Sequence, residues 1–319
     1  MKRFGSARRL PVRAPFRLDL TVDALRRIAS NVVDVVSDGT YYRALSDEKG
    51  TALLAVRRHG TGALEIRATD RDTQRWIPVV ARMLGTQVDL TQWYARSRRI
   101  AWLARLTAAL RGLKPPRYPT LWEGCAHAIL FQQISIYAAG AIMRRAVEVL
   151  GEPVTVGDIR CVTFPPPERW LGADDATLRA AGISRTKIAH LRCAADAFIG
   201  GEIEEDALEQ LPTYQAAQRL CKIRGIGAWS ASVMLLRGLG RLDAFPLRDS
   251  GVARALSLLS GDERVDVDRL LETLGSVRGM LYYQLLLGRL RNLVVRSNQK
   301  TSRLLAALNN DAVGSGPPH

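Results

Sequence analysis

An α+β unit followed by a larger all-helical domain is the fold class this 319-residue sequence predicts. Three observations carry it. Strand-like alternation of apolar residues is read before about residue 70, and from about residue 98 the period is read as helical. Short breaks rich in Pro or Gly, such as "KPPRYP" and "FPPPE", separate the helical stretches.

Taken in order, "FRLDLTV" alternates apolar and polar as a strand does, and "VDALRRIAS" reads as a short helix. "TALLAVRRHGTGALEIRAT" is two alternating runs around a Gly-containing turn, the pattern of a hairpin. Asp70 can cap a helix in which Trp76, Val79, Val80 and Met83 share one face and which ends at Gly85. The period changes within "DLTQWYARSRR", which sets an N-terminal domain at 1–95 and a helical domain at 96–305. In the second domain helices are predicted over 99–112, 119–136, 138–150, 175–182, 184–199, 205–223, 228–238, 249–260, 266–275 and 278–291. The tail 306–319, which contains "NNDAVGSGPPH", lacks apolar periodicity and is expected to be disordered. No repeat of fixed period is present, which argues against a solenoid.

The chain carries 46 Lys and Arg against 31 Asp and Glu, a net charge of +15, with the basic excess spread through most of its length. A polyanion is the natural partner. No apolar run is long enough to span a bilayer, and the basic start "MKRFGSARRLPVR" lacks a signal-peptide pattern, so no membrane is expected. Cys125, Cys161, Cys193 and Cys221 lie 36, 32 and 28 residues apart without a CxxC pair, and His59, His127, His190 and His319 are as scattered. That spacing argues against zinc and iron-sulfur centres. It suits free thiols in a reducing compartment, cytoplasmic (nucleoid-associated) or nuclear.

"LCKIRGIGAWSAS" combines the end of one helix, a tight Gly225-Ile226-Gly227 turn and the start of another. Glycine there admits positive φ and leaves no side chain between amide N–H groups and an anion. Gly225, Gly227 and the amide or hydroxyl of Ser230 can therefore hold a phosphate at the positive end of the second helix. A plain helix-helix turn is the alternative. Twenty residues after Trp229, Asp249 stands between "DAFPLR" and "SGVARAL", where it caps a helix or does chemistry. One position can serve both, since a helix N-terminus also favours a negative charge.

The hairpin "LCKIRGIGAWSA", its spacing to "DAFPLRD" and the upstream "AHAILFQQIS" together resemble the helix-hairpin-helix (HhH-GPD) superfamily of DNA glycosylases, in particular its 3-methyladenine DNA glycosylase II (AlkA-like) branch. "SDGTYYRALS" and the hairpin after it resemble that branch's TATA-binding-protein-like N-terminal domain. "FPPPERWLGADDATLRAAGISRTKIAHL" resembles its middle helices, so the likeness covers about residues 15–292. The resemblance implies a monomeric, monofunctional glycosylase acting on double-stranded DNA. Such an enzyme flips out alkylated purines such as 3-methyladenine and hydrolyses the N-glycosidic bond, leaving an abasic site in base excision repair.

Residue by residue, Asp249 matches the family's catalytic aspartate. A base alkylated on a ring nitrogen is cationic and leaves readily, so one carboxylate suffices to stabilise the oxocarbenium-like sugar and admit water. Bifunctional relatives carry a nucleophilic lysine where Trp229 stands. Trp229 instead lines the base pocket by resemblance, or packs in the core. "FQQIS" matches the wedge loop, with Phe131 and Gln132 beside the pocket and Gln133 inserted into the duplex where relatives use a leucine. Val233 stands where some relatives carry a pocket tyrosine, and Tyr282 belongs to "SVRGMLYYQLLLGRL", similar to the last core helix. The backbone carbonyls of Cys221, Ile223 and Gly225 match those that hold a monovalent cation, Na+ or K+, and no other cofactor is implied. Arg96, Arg98, Arg99, Arg224, Arg248, Arg296 and Lys300 are candidate phosphate contacts. Two other functions compete: a bifunctional 8-oxoguanine-type glycosylase/lyase, which Trp229 argues against, and a non-catalytic lesion-binding protein, which Asp249 at its spacing argues against.

Overall fold

The computed structural model describes residues 3–70, 72–261, 265–291 and 293; Arg296, Lys300 and the tail 306–319 lie outside the described residues. Strands β1 (Arg8–Pro11), β2 (Asp34–Ser37), β3 (Thr40–Asp47), β4 (Gly50–His59) and β5 (Ala63–Ala68) form an antiparallel sheet in the order β1-β5-β4-β3-β2. The β4–β5 hairpin pairs from Leu54↔Ala68 to His59↔Ala63, as its alternation predicts. β2 and β3 turn through Asp38 and Gly39, both at positive φ, the two-residue turn that suits strand twist.

Helix α1 (Leu18–Arg26) occupies the stretch where "FRLDLTV" predicts a strand. The alternation arises because this helix is buried on opposite sides. Leu18, Val22 and Leu25 pack with the sheet, whereas Leu20 and Ala24 enter the core of the helical domain. A helix wedged between two cores has no single apolar stripe. Asp70 is not a helix cap: it accepts the Trp76 indole N–H at 2.7 Å, and α2 (Ile77–Met83) begins later, after a 3-10 turn at Thr73–Trp76. Of the four residues expected to share a face, Trp76, from the 3-10 turn, and Val80 and Met83 are buried with the sheet's core residues, and Val79 is half-buried against them.

The remaining elements are α3 (Thr91–Ser97), α4 (Ala101–Ala109), α5 (Leu121–Leu130), α6 (Ile136–Leu150), β6 (Pro153–Val156), β7 (Ile159–Val162), α7 (Pro167–Gly172), α8 (Asp175–Ala180), α9 (Arg185–Ile199), α10 (Glu205–Glu209), α11 (Thr213–Leu220), α12 (Ala228–Arg237), α13 (Ser250–Ser260), α14 (Val267–Leu274) and α15 (Gly279–Leu290). The helix expected over 205–223 is two, α10 and α11, with Pro212 at the break, where a ring without an N–H cannot continue a helix. The helix expected over 119–136 ends at Leu130 and leaves "FQQIS" as a loop. α3 lies outside every predicted helix, α7 lies within the stretch resembling the family's middle helices but outside those predicted from periodicity, and the second domain is not wholly helical. The hairpin β6–β7 lays Val154 and Cys161 against Ala44 and Leu53, on the sheet face opposite α1 and α2.

α5 is buried along its whole length and packs against α6, α9 and α12. Buried ions join it to the sheet. The Arg43 guanidinium donates to Asp34 at 2.6 Å and to Glu123 of α5, and the Tyr41 hydroxyl donates to Asp34 at 2.7 Å. Arg237, at the end of α12 and buried, donates to the carbonyls of Ala24 and Leu25 at the end of α1. Among the described residues no helix is long and apolar enough to cross a membrane.

Candidate active site

A cleft of about 780 Å³ opens where three turns of chain meet: the hairpin turn before α12, the loop from α5 to α6, and the turn before α13, with α15 behind them. The hairpin turn requires a glycine at Gly225. Its φ is +94°, and an added Cβ would lie 2.4 Å from the His190 ring on α9. Gly227, the residue before α12, has φ −91° and open space where a Cβ would be. What glycine supplies there is a bare backbone at the start of a helix, where amides lack partners.

Asp249 caps α13: its Oδ1 accepts the Val252 amide at 2.9 Å. Its Oδ2 accepts the Trp229 indole N–H, also at 2.9 Å. One carboxylate is thus fixed by donors from two elements and still borders the cleft. Trp229 stands half-buried on the first turn of α12, with Val233 buried one turn further along the same wall.

Phe131 and Gln132 form the facing wall. The Gln132 amide donates to the Gly225 carbonyl at 2.9 Å and to Ser230 Oγ at 2.8 Å, binding the loop to the hairpin. This changes the expected role of Ser230, which is buried with its hydroxyl engaged by Gln132 rather than turned toward an anion. Gln133 is exposed at the loop tip with φ +60°. Arg27, a buried residue that follows α1, lies over the Phe131 ring at 4.5 Å and donates to the Tyr282 hydroxyl at 3.3 Å. His127, buried and stacked on Tyr118 at 4.3 Å, completes this side. Burial, with Arg27 adding to it, holds its imidazole well below the ordinary range and therefore neutral.

Backbone strain is concentrated here. Among the described residues four non-glycine residues have positive φ, and three of them, Arg27, Gln133 and Arg248, line the cleft. Its charge is one-sided. Arg27, Arg248, Arg254 and Arg289 share the cleft lining with Asp249, the single carboxylate among the described lining residues, and none of those residues is a lysine.

Asp249, Trp229, Phe131, Gln132, Gln133, Val233, Tyr282, Gly227 and Ser230 are thus brought to one cleft. Gly225 and Ile223 lie beside it in the hairpin turn, with Cys221 and Arg224 exposed. Arg96 departs from its expected place: it donates to the Leu274 carbonyl at 2.6 Å, at the end of α14. Sequence reading missed Arg27, His127, Arg254 and Arg289. His127 was within reach, four residues before Phe131 on one helix face. Arg27 was not, because nothing in "LRRIAS" separates its two arginines.

Residues 126–276 match the model of the HhH-GPD superfamily of base excision DNA repair proteins. The chain is similar to the DNA-3-methyladenine glycosylase of Bacillus subtilis, at 28% identity over 176 residues, 55% of this chain. It is similar also to DNA-3-methyladenine glycosylase 2 of Escherichia coli, at 29% identity over 228 residues, covering 70% of this chain and 76% of that one. The chain spans 58% of the length of the Bacillus relative and about half that of several others it matches. In fold it superposes on the 3-methyladenine DNA-glycosylase from Archaeoglobus fulgidus with a TM-score of 0.76, at 24% identity, over 90% of this chain and 100% of that one.

Proposed function

We propose that this chain, whose residues 126–276 match the HhH-GPD superfamily of base excision DNA repair proteins, is a monofunctional DNA glycosylase that removes alkylated purines from double-stranded DNA. The observation that carries this reading is Asp249, held by Val252 and Trp229 at the edge of a cleft with room for a base. The names of the relatives from Bacillus subtilis and Escherichia coli support the substrate class.

A flipped purine enters between Trp229 and the Phe131–Tyr282 side, whose aromatic faces favour a cationic ring. The N-glycosidic bond breaks with its electron pair going to the base, which leaves neutral. Asp249 opposes the positive charge growing on the sugar. Water adds at C1′ and gives its proton to the carboxylate or to solvent. With no lysine lining the cleft among the described residues, no Schiff base forms and the strand stays intact. Gly225, Gly227 and their neighbouring amides, with Arg224 beside them, take a phosphate. The carbonyls of Cys221, Ile223 and Gly225 suit Na+ or K+. Ile223 O accepts the Ile226 amide and Gly225 O the Gln132 amide, which leaves each a second lone pair. A cation there would add positive charge under the phosphate.

Asp249→Asn tests the assignment on alkylated duplex DNA. Release of 3-methyladenine is expected to fall by about a hundredfold or more. Binding to a duplex with a tetrahydrofuran abasic analogue is expected to persist, and the wild-type product should break only on heating or in alkali. Release by the variant near the wild-type rate would remove Asp249 from catalysis.

A further inference from the structure

Lys187 lies outside the cleft lining, on the first turn of α9, where the Ser184 hydroxyl accepts its backbone amide. Its ammonium reaches the far end of α5 and donates to the Leu130 carbonyl at 2.7 Å and the Gln132 carbonyl at 2.9 Å. It is half-buried and, among the described residues, forms no ion pair; burial lowers its pKa. The two carbonyls flank Phe131, and the next residue is Gln133 in the left-handed region.

We propose that Lys187 is a positioning residue for the insertion of Gln133 into DNA, clamping the backbone on both sides of Phe131 so that the loop is presented already formed. The inference rests on the reading of this loop as the wedge. The last carbonyls of a helix lack amide partners and carry the negative end of its dipole, so the ammonium satisfies Leu130 there and, just beyond the helix, the loop carbonyl of Gln132. A glutamine avoids positive φ unless its surroundings hold it there. Two sets of bonds do so. Lys187 holds the loop backbone from α9, and Gln132 ties its side chain to the hairpin. Without the ammonium, Gln133 relaxes toward negative φ and its side chain points elsewhere, while the phosphate grip on the hairpin is untouched.

The test uses the full chain and a duplex carrying a tetrahydrofuran abasic analogue next to 2-aminopurine. Anisotropy of an end label reads binding, and 2-aminopurine fluorescence reads insertion. Lys187→Met should bind within about threefold of wild type but lose about tenfold in the insertion response, the scale of a charged hydrogen bond. Lys187→Arg should restore most of that response. A wild-type response from Lys187→Met would overturn the proposal. So would equal losses in both variants accompanied by equal falls in melting temperature, which mark a purely structural role. If the wild type gives no insertion response, the wedge reading falls, and this inference with it, while Asp249 stands. If it inserts yet frees no base from methylated DNA, the catalytic reading falls and the clamp remains.

Discussion

The carboxylate of Asp249 accepts from donors on two helices, and they do different things. The Val252 amide belongs to α13 itself and is satisfied by any good cap. The Trp229 indole crosses from α12 and fixes the rotation of the carboxylate relative to the hairpin. Trp229→Phe separates these, since it keeps an aromatic face and removes one N–H. Single-turnover base release is expected to fall about tenfold and the melting temperature by several degrees, because a hydrogen bond to a charged group is worth roughly 1.5–3 kcal/mol, while abasic-DNA affinity changes little. An unchanged rate would return the indole to packing alone. Asp249 itself was legible, because capping residues and hairpin spacing are local patterns. Its partner was not, since a contact across twenty residues leaves no local mark. The same holds for Gln132, which lines the cleft as expected but whose amide also ties the loop to the hairpin.

The hairpin shows what a local pattern does reveal at the scale of an element. Two glycines one residue apart announced a tight turn, and the structure gives them unlike duties. Gly225 is required from within, by a φ of +94° and by the His190 ring on α9. Gly225→Ala is expected to cost about 3 kcal/mol in urea unfolding, combining left-handed strain with a clash against a packed ring. Gly227→Ala meets no atom in the fold, so its stability should stay within about 0.5 kcal/mol while its affinity for abasic DNA falls. Equal losses of stability in the two variants would contradict this division. The elements that escaped the sequence have a shared cause. In α1 the apolar stripe was hidden by burial on two sides. In β6 and β7 the alternation of Val154, Val156, Ile159 and Cys161 is present, but strands of four residues stand only because Ala44 and Leu53 cover them. Tertiary contact, not local preference, decided both.

Across the whole molecule, the change of period near residue 98 located where the sheet region ends but not how firmly its two parts interlock. Leu20, Ala24 and Val33 from the N-terminal part sit in the helical core, and Arg237 grips the end of α1 from α12. The most consequential link is ionic. Asp34 and Glu123, from the sheet and from α5, share the single guanidinium of Arg43 in full burial. Burial pushes the Glu123 carboxyl up to about 7; Arg43 opposes the rise and Asp34 adds to it. The folded protein therefore holds a proton that the unfolded chain releases near the ordinary glutamate value of 4.5. Between these values Glu123 binds more proton in the native state than in the unfolded one, so its contribution to stability falls as pH rises and levels off above about 7. His127, held neutral in the fold, acts in the opposite sense below its ordinary value, so the test is a difference: in thermal unfolding followed from about pH 5 to about pH 7.5, the stability of the wild type relative to Glu123→Gln, neutral throughout, should decline as pH rises. The same slope in that variant would place the titrating proton elsewhere and leave the Arg43 link a fixed ion pair.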